Sequence, residues 1–334
     1  MLHRPLTAFC IAALLASGAF AQEAASQEQS DFSEQVSVSY VMVPFTALNR
    51  TGVPLTDLSA NDVALYVDGA RVATDLFELS RNAPVSWTIL LDGSGSMGLA
   101  GKMDAAKAAI NALTARRQSG DDFALYVFDS EGHAKELVPF TENPSAIVRA
   151  LDVVKPWGKT AFFDALAEMP QRSELGRNAS RAIVLLSDGI DNASKLSREE
   201  IGKRLEGVAI PIYAFGLREP GERELQKTAP DAISEEMSNI DLLAELAAAT
   251  GGQLFVGNQP EQLARAMNGI ESVLRAQYLI GFPPTGKGAV KYRRISLQLN
   301  GRARTVRVRA GYRGTEPPVL SASTRLKRNE RKKS

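Results

Sequence analysis

The apolar and polar positions of the chain follow two different patterns in different regions. Between residues 84 and 275, short apolar runs alternate with segments whose apolar residues recur at helical spacing. A short run bounded by turn residues indicates a buried strand, and helical spacing indicates a helix packed on a core. Their alternation predicts an α/β domain with a doubly wound, mostly parallel sheet.

The flanking segments, residues 35–80 and 276–314, show strand-like alternation instead, with turn signals such as Asn300-Gly301. No helical segment separates their strands, so they cannot belong to the parallel sheet. Either flank alone is too small to bury a good core. We therefore expect the two flanks to pair into one small β-sandwich-like domain, with the α/β domain inserted between them.

The centre of the α/β region is an apolar run that stops at an aspartate. Residues 89–91 read as a strand buried on both faces, and Asp92 is followed by a glycine-rich turn that carries Ser94 and Ser96. A helical pattern begins at Lys102. The turn is thus predicted at the carboxyl end of a central strand, where open α/β sheets bind ligands.

One carboxylate and two hydroxyls on such a turn are oxygen donors, which favour hard cations. We expect Mg²⁺ first, with Mn²⁺ or Ca²⁺ as substitutes. Three short side chains cannot fill the coordination shell, so other loops must contribute. Asp188 ends a second apolar run, residues 182–187, and Thr160 lies in a polar loop between the two strands.

These residues together resemble the metal-ion-dependent adhesion site (MIDAS) of the von Willebrand factor type A domain. The five matching positions are Asp92, Ser94, Ser96, Thr160 and Asp188. In that family the serines and the threonine bind the metal directly or nearly so, and the aspartates act largely through water. The resemblance implies a coordination position left open for an acidic group of a partner.

The flanks are similar to those of a secreted bacterial group of von Willebrand factor A-related proteins. The function of most members of that group is uncharacterised, so the similarity concerns architecture. The segments that carry it are Val41-x-Val43-Pro44, Leu65-Tyr66-Val67-Asp68-Gly69, Tyr278-Leu279-Ile280-Gly281-Phe282, Tyr292-Arg293-Arg294-Ile295 and Val306-Arg307-Val308-Arg309-Ala310-Gly311-Tyr312.

A dinucleotide site is a distant alternative for the same turn. Residues 93–98 fit G-x-G-x-x-G between a strand and a helix. Against it, the carboxylate of Asp92 would repel a pyrophosphate. The acid expected after the second strand is ambiguous, because Asp121 and Asp122 precede that strand and Asp129 follows it late.

The ends of the chain read as export and solvent-exposed segments. Residues 1–21 form a signal peptide with a basic start, an apolar stretch and cleavage after Ala21. Residues 22–34 form a polar linker, and residues 315–334 form a basic disordered tail. We therefore expect a secreted or periplasmic protein, and no later apolar run reaches transmembrane length.

Composition narrows the chemistry further. The single cysteine, Cys10, lies in the leader, which excludes disulfides and zinc–thiolate sites from the mature chain. Lys and Arg total 39 against 38 Asp and Glu, and loss of Arg4 with the leader leaves a formal net charge of zero. That balance gives nucleic-acid binding no support.

Catalysis also finds little support in the sequence. His133 is the only histidine after cleavage, and Asp191 is the only nearby base for metal-assisted hydrolysis. Trp157, beside Thr160, is either a core residue or a partner-contacting residue at the rim of the site. We expect a non-enzymatic, divalent-metal-dependent adhesion module that captures an acidic group of a protein, or an anionic polymer. The alternative is a structural or scaffold subunit of an envelope complex with a vestigial metal site.

Overall fold

The computed structural model of the chain describes residues 40–218, 235–284, 288–300, 303 and 305–317. The predicted leader and linker lie outside these residues, as does most of the predicted basic tail. Within the described ranges, no helix is both long enough and apolar enough to span a bilayer.

A six-stranded, mostly parallel sheet forms the centre of the molecule. Its strand order is β10-β9-β8-β5-β6-β7, and only the edge strand β7 runs antiparallel to its neighbour. The chain first runs from β5 through β6 to β7 at one edge, and then from β8, beside β5, through β9 to β10 at the other edge. This reversal of direction at β5 is the arrangement of a doubly wound sheet, so the predicted fold class is confirmed. The strands are β5 (Val85–Asp92), β6 (Asp122–Phe128), β7 (Lys135–Thr141), β8 (Ser180–Ser187), β9 (Ile212–Gly216) and β10 (Gln253–Val256).

Helices cover both faces of this sheet, and β5 is buried along its whole length. Ile89 and Leu91 point into one apolar cluster with α1 and α6, whereas Leu90 points into the other with α3, α4 and α5. This alternation explains why the run is apolar at every position rather than at every second one. The helices are α1 (Lys102–Ala115), α2 (Pro144–Val153), α3 (Phe162–Ser173), α4 (Arg198–Leu205), α5 (Glu235–Ala249) and α6 (Pro260–Leu274).

The two flanks pair with each other in two four-stranded sheets, as the sequence predicts. Their orders are β13-β1-β11-β4 and β14-β12-β2-β3, so each sheet contains strands from both ends of the chain. Phe45, Leu65, Tyr278 and Ile295 belong to one buried cluster shared by the two sheets. The strands are β1 (Val41–Leu48), β2 (Val63–Val67), β3 (Ala70–Arg71), β4 (Leu76–Arg81), β11 (Ala276–Phe282), β12 (Lys291–Leu299), β13 (Thr305–Val308) and β14 (Gly311–Gly314).

The structure adds detail that the turn signals do not carry. The strands on either side of Asn300-Gly301 lie in different sheets, because β12 pairs with β2 and β14 while β13 pairs with β1. The connection is therefore a crossover between layers and not a hairpin. Strand β4 is absent from the prediction because its buried and exposed positions do not alternate strictly.

The sandwich is attached at the amino edge of the central sheet. The chain leaves the sandwich after β4 and returns to it at β11, and the Asn82 amide donates to the Arg275 carbonyl at 3.0 Å between these two crossings. The Ala310 amide donates to Ala249, just before β10, at 2.7 Å. Arg309 donates to Gly207, before β9, at 3.3 Å.

Candidate metal centre

Asp92 ends β5 and is fully buried at the carboxyl edge of the sheet. One carboxylate oxygen accepts the Ser94 amide at 2.9 Å. The other accepts the Ser187 hydroxyl, from the end of β8, at 2.6 Å. Because both oxygens are held, the carboxylate has one fixed orientation between the two strand ends.

The two serines of the turn present their hydroxyls side by side. The Oγ atoms of Ser94 and Ser96 are 3.1 Å apart. Mg²⁺ holds its oxygen ligands at 2.0–2.1 Å, which puts neighbouring ligands of an octahedron about 3 Å apart. The observed spacing therefore suits two adjacent ligands of one small cation.

The loop that carries Thr160 is joined to this turn through the backbone. The Trp157 amide donates to Gly93 at 2.8 Å, and the Gly95 amide donates to Gly158 at 3.0 Å. Gly158 has a φ of +80°, a conformation that a glycine adopts without strain. These bonds bring the buried Thr160, two residues further on, to the same edge of the sheet as the serines.

Asp188 follows β8 and is buried beside the same edge. One of its oxygens accepts the ammonium group of the largely buried Lys102, at the start of α1, at 2.9 Å. The other accepts the Ile190 amide at 3.3 Å. Lys102 is thus an internal cation at the candidate centre, and it neutralises one of the two carboxylates.

The buried environment of the centre disfavours two ionised carboxylates side by side. Burial, and the charge of nearby Asp188, raise the pKa of Asp92 to about 7, although hydrogen bonds from Ser187 and Ser94 lower it. A buried carboxylate beside another carboxylate costs free energy unless a cation compensates both. The set of two carboxylates and at least two hydroxyls therefore fits a hard divalent cation.

The donor set consists of oxygen atoms, which favour hard cations. No group of three histidine, cysteine, aspartate or glutamate side chains lies together anywhere in the described part of the chain. Imidazole and thiolate sites of the zinc type need such groups. The candidate centre instead combines Asp92 and Asp188 with hydroxyl oxygens, which suits Mg²⁺, Mn²⁺ or Ca²⁺.

Two residues that contact the centre, Ser187 and Lys102, are not among the residues predicted from the sequence, and Asn192 is only a weaker candidate there. Ser187 orients Asp92, Lys102 pairs with Asp188, and the Asn192 side chain accepts the Thr160 amide at 2.8 Å. Only Ser187 and Asn192 carry a signal in the sequence, since they lie within a few residues of Asp188. The Lys102 contact spans 86 positions and follows only from the fold.

Asp191 has a role in the fold rather than in the centre. Its carboxylate accepts the Phe163 amide at 2.9 Å and the Ser194 hydroxyl at 2.6 Å. Phe163 lies in the first turn of α3, so the carboxylate stabilises the positive end of that helix. The Ser194 amide donates to the second carboxylate oxygen at 3.2 Å, so the Asp191 side chain is held at the start of α3.

Two other readings of the site do not match their expected geometry. In a dinucleotide fingerprint the helix opens at the glycines, but Gly95–Gly98 forms a separate 3₁₀ turn and α1 begins only at Lys102. His133 lies in an exposed loop, where its ring contacts the carbonyl of Glu131 at 3.2 Å. The His133 ring thus contacts a backbone carbonyl and not Ser94 or Ser96, as a serine-histidine pair would require.

The fold places the central region among the doubly wound α/β domains, and its oxygen-rich turn lies at the carboxyl edge of the sheet, where such domains commonly bind ligands. Residues 88–190 match the family model of the von Willebrand factor type A domain, so the chain carries a domain of that family. The matched range contains the turn after β5, the Thr160 loop and Asp188. No match is found among curated proteins.

Several solved structures have a similar fold. A von Willebrand factor type A protein from Catenulispora acidiphila has 15% sequence identity and a TM-score of 0.48, with 80% of this chain and 77% of that chain covered. Proximal thread matrix protein 1 from the mussel byssus, with a zinc-occupied MIDAS motif, has 17% identity and a TM-score of 0.44, over 62% and 49%. The PilB minor pilin from Streptococcus sanguinis has 13% identity and a TM-score of 0.43, over 58% and 62%.

Proposed function

We propose that this protein is a divalent-metal-dependent binding module that captures an acidic group of a protein partner. The observation that carries the proposal is the buried pair of Asp92 and Asp188, set beside hydroxyl oxygens at the carboxyl edge of the sheet. Two like charges at one buried point lower stability, and a bound cation would offset that cost. The role is binding and not catalysis.

The residues of the centre would divide the work of holding the ion. Ser94, Ser96 and Thr160 would offer hydroxyl ligands, while Asp92 and Asp188 would supply negative charge, largely through water, as in the family that the site resembles. A bound Mg²⁺ would supply a positive charge and an exchangeable coordination position for a carboxylate. The Ser187 hydroxyl, which donates to Asp92 at 2.6 Å, would keep that carboxylate in place beside the ion.

A thermal melt with Mg²⁺ and with EDTA tests this function. Mg²⁺ at a hundred times its dissociation constant adds about 2.7 kcal/mol to the stability of the folded state. At this domain size the melting temperature rises by roughly 2 to 4 °C per kcal/mol. The partly exposed Ser96 allows a mild variant, and Ser96→Ala should weaken Mg²⁺ binding by at least about tenfold.

Ser272→Ala is a matched control, because Ser272 is an exposed serine on α6 whose hydroxyl bonds only its own helix, at the Asn268 carbonyl. It should leave the Mg²⁺ response unchanged. Equal melting temperatures in Mg²⁺ and in EDTA would contradict the proposal. They would favour the alternative, a scaffold subunit of an envelope complex in which the site is vestigial.

We propose export as the cellular setting of this binding. The support is the sequence of residues 1–21, with its short basic start, apolar stretch and Ala-x-Ala end. Mass spectrometry of the protein recovered from producing cells should then show an N-terminus at Gln22. A chain that retains Met1 would contradict cleavage after Ala21.

A further inference from the structure

Large apolar side chains are exposed directly beside the candidate metal centre. Trp157 is 82% exposed and Leu99 is 65% exposed. Both lie on the loops that build the centre, one before Thr160 and the other after the turn of Ser94 and Ser96. Exposed apolar residues grouped next to a polar site mark an interaction surface more often than an isolated exposed leucine does.

The backbone that carries these side chains is fixed. The Trp157 amide donates to Gly93 at 2.8 Å. A Cβ placed on Gly98 would lie 3.4 Å from the Pro156 side chain, so the two loops touch one residue away from Leu99 and from Trp157. A tryptophan on a fixed backbone loses little conformational entropy when it binds, which is typical of interface hot spots.

Two exposed lysines flank the tryptophan. Lys155 and Lys159 lie two residues before and two residues after it. In the part of the chain that the structure describes, neither ammonium group belongs to an ion pair, in contrast to Lys203 and Lys102. The surface beside the centre therefore combines uncompensated positive charge with apolar area. We name Leu99, Lys155, Trp157 and Lys159 the rim.

We infer that the rim binds an extended acidic segment of a protein, in which the metal-directed carboxylate is flanked by a bulky apolar residue and by a second acid. This inference rests on the proposed function, since the first carboxylate is the one directed to the metal. The second acid complements Lys155 and Lys159, and the apolar residue covers Trp157 and Leu99. A uniformly charged polysaccharide would match the lysines but would leave Leu99 uncovered.

Two synthetic peptides provide the probes. Both contain an Asp-x-Glu core, with leucine and phenylalanine around the acids in one peptide and glycine at those positions in the other. In Mg²⁺ the apolar peptide should bind at least about tenfold tighter, which corresponds to about 1.4 kcal/mol. Equal affinities, or no binding of either peptide, would overturn the inference.

The protein contains its own reporter for this experiment. Its two tryptophans are Trp157 and Trp87, and Trp87 is only 1% exposed. Quenching of fluorescence by acrylamide therefore reports mainly on Trp157. The apolar peptide should protect this emission from quenching, whereas an unprotected Trp157 in the bound complex would contradict a contact at the rim.

Substitutions separate the rim from the metal centre. Trp157→Ala should remove most of the tenfold preference between the peptides while leaving the Mg²⁺ affinity unchanged. Leu175→Ala is the control, because Leu175 is 67% exposed but lies after α3, away from the loops of the centre. A preference that survives Trp157→Ala, or that falls equally in Leu175→Ala, would overturn the inference.

Two further outcomes distinguish this inference from the proposed function. If the preference for the apolar peptide persists in EDTA and Mg²⁺ does not bind, the contacts at Trp157 and Leu99 are supported, whereas the metal-directed carboxylate and the metal-dependent function both fail. If Mg²⁺ binds but polygalacturonate competes as well as the apolar peptide, and does so regardless of Trp157→Ala, the occupant is an anionic polymer. That result would overturn the rim inference and leave the metal site intact.

Discussion

The two edges of the central sheet treat buried charge in opposite ways. At the amino edge, the carboxylate of Asp121 is fully buried but accepts two hydrogen bonds from Arg275, at 2.6 and 3.2 Å, and one from the Val85 amide at 2.8 Å. Arg275 also pairs with Glu271 at 3.0 Å, and Glu271 pairs with Arg116 at 3.0 Å. Two guanidinium groups balance two carboxylates there.

At the carboxyl edge, the two carboxylates of Asp92 and Asp188 lie near one ammonium group, that of Lys102. This ammonium group forms its ion pair with Asp188. Among the described residues, the carboxylate of Asp92 has no ion-pair partner. The surface of this edge carries the exposed Trp157. The same sheet therefore uses ion pairs for attachment at one edge and leaves charge uncompensated at the other. The stabilising ion pairs thus lie where the sandwich is joined, and the binding proposed above would use the opposite edge.

The largest expected effect comes from breaking the compensated edge. Arg275→Met leaves Asp121 and Glu271 buried without their shared partner, and we expect the free energy of unfolding to fall by about 3 to 5 kcal/mol. Urea denaturation measures this loss. The Arg116 side chain is 56% exposed, so Arg116→Met should cost less than about 1 kcal/mol. Similar losses in both variants would contradict a buried network centred on Arg275.

A smaller effect, of opposite sign, is expected at the uncompensated edge. Asp92→Asn removes a buried negative charge, and its amide can still accept from the Ser94 amide and donate to the Ser187 hydroxyl. In EDTA at pH 8 we expect this variant to be more stable than the wild type, by on the order of 3 kcal/mol. The gain should vanish near pH 4.

The sign of this effect follows from the direction of the pKa shift. Burial and Asp188 raise the pKa of Asp92 from 3.8 in the unfolded chain to about 7 in the folded protein. The folded state therefore binds the proton more tightly, and wild-type stability falls as the pH rises from about 4 to about 7. Unfolding in EDTA across this range checks the slope. A wild type that gains stability over the same range relative to Asp92→Asn would contradict the shift.

The smallest effect sharpens the role of the internal cation. Lys102→Met removes the positive charge beside Asp188, so we expect Mg²⁺ to bind about tenfold tighter, or about 1.4 kcal/mol. Lys102→Arg keeps the charge and should change the affinity little. Isothermal titration with Mg²⁺ measures both variants. Weaker binding by Lys102→Met would show that the lysine orients Asp188 for the metal rather than opposing it.

Local pattern predicts the elements of this fold well, and the pairing between distant segments only in outline. The apolar run that ends at Asp92 and the helical spacing after Lys102 each reflect burial within one element. The sandwich depends on pairs such as Val43 with Ile280, which no local period encodes. Only the small size of each flank indicates that the two must pair.

The candidate centre shows the same division between local and distant information. Its oxygen donors are visible because each follows a predicted strand or lies in a polar loop. The sequence leaves the roles of Asp191 and Asn192 open, because they are neighbours of similar shape. In the structure, the Asp191 carboxylate accepts the Phe163 amide at the start of α3, and the Asn192 side-chain oxygen accepts the Thr160 amide. Exposure of Trp157 also depends on tertiary packing, which its own sequence neighbourhood leaves open.

Attachment of the sandwich at the amino edge has an evolutionary consequence. Both crossings between the sandwich and the inserted domain lie there, next to the Asn82 and Arg275 contact. Among the described residues, the loops at the carboxyl edge carry no chain connection to the sandwich, so replacing their residues costs only local contacts. Descendants of this chain can acquire a new ligand through changes in those loops while the rest of the molecule is inherited intact.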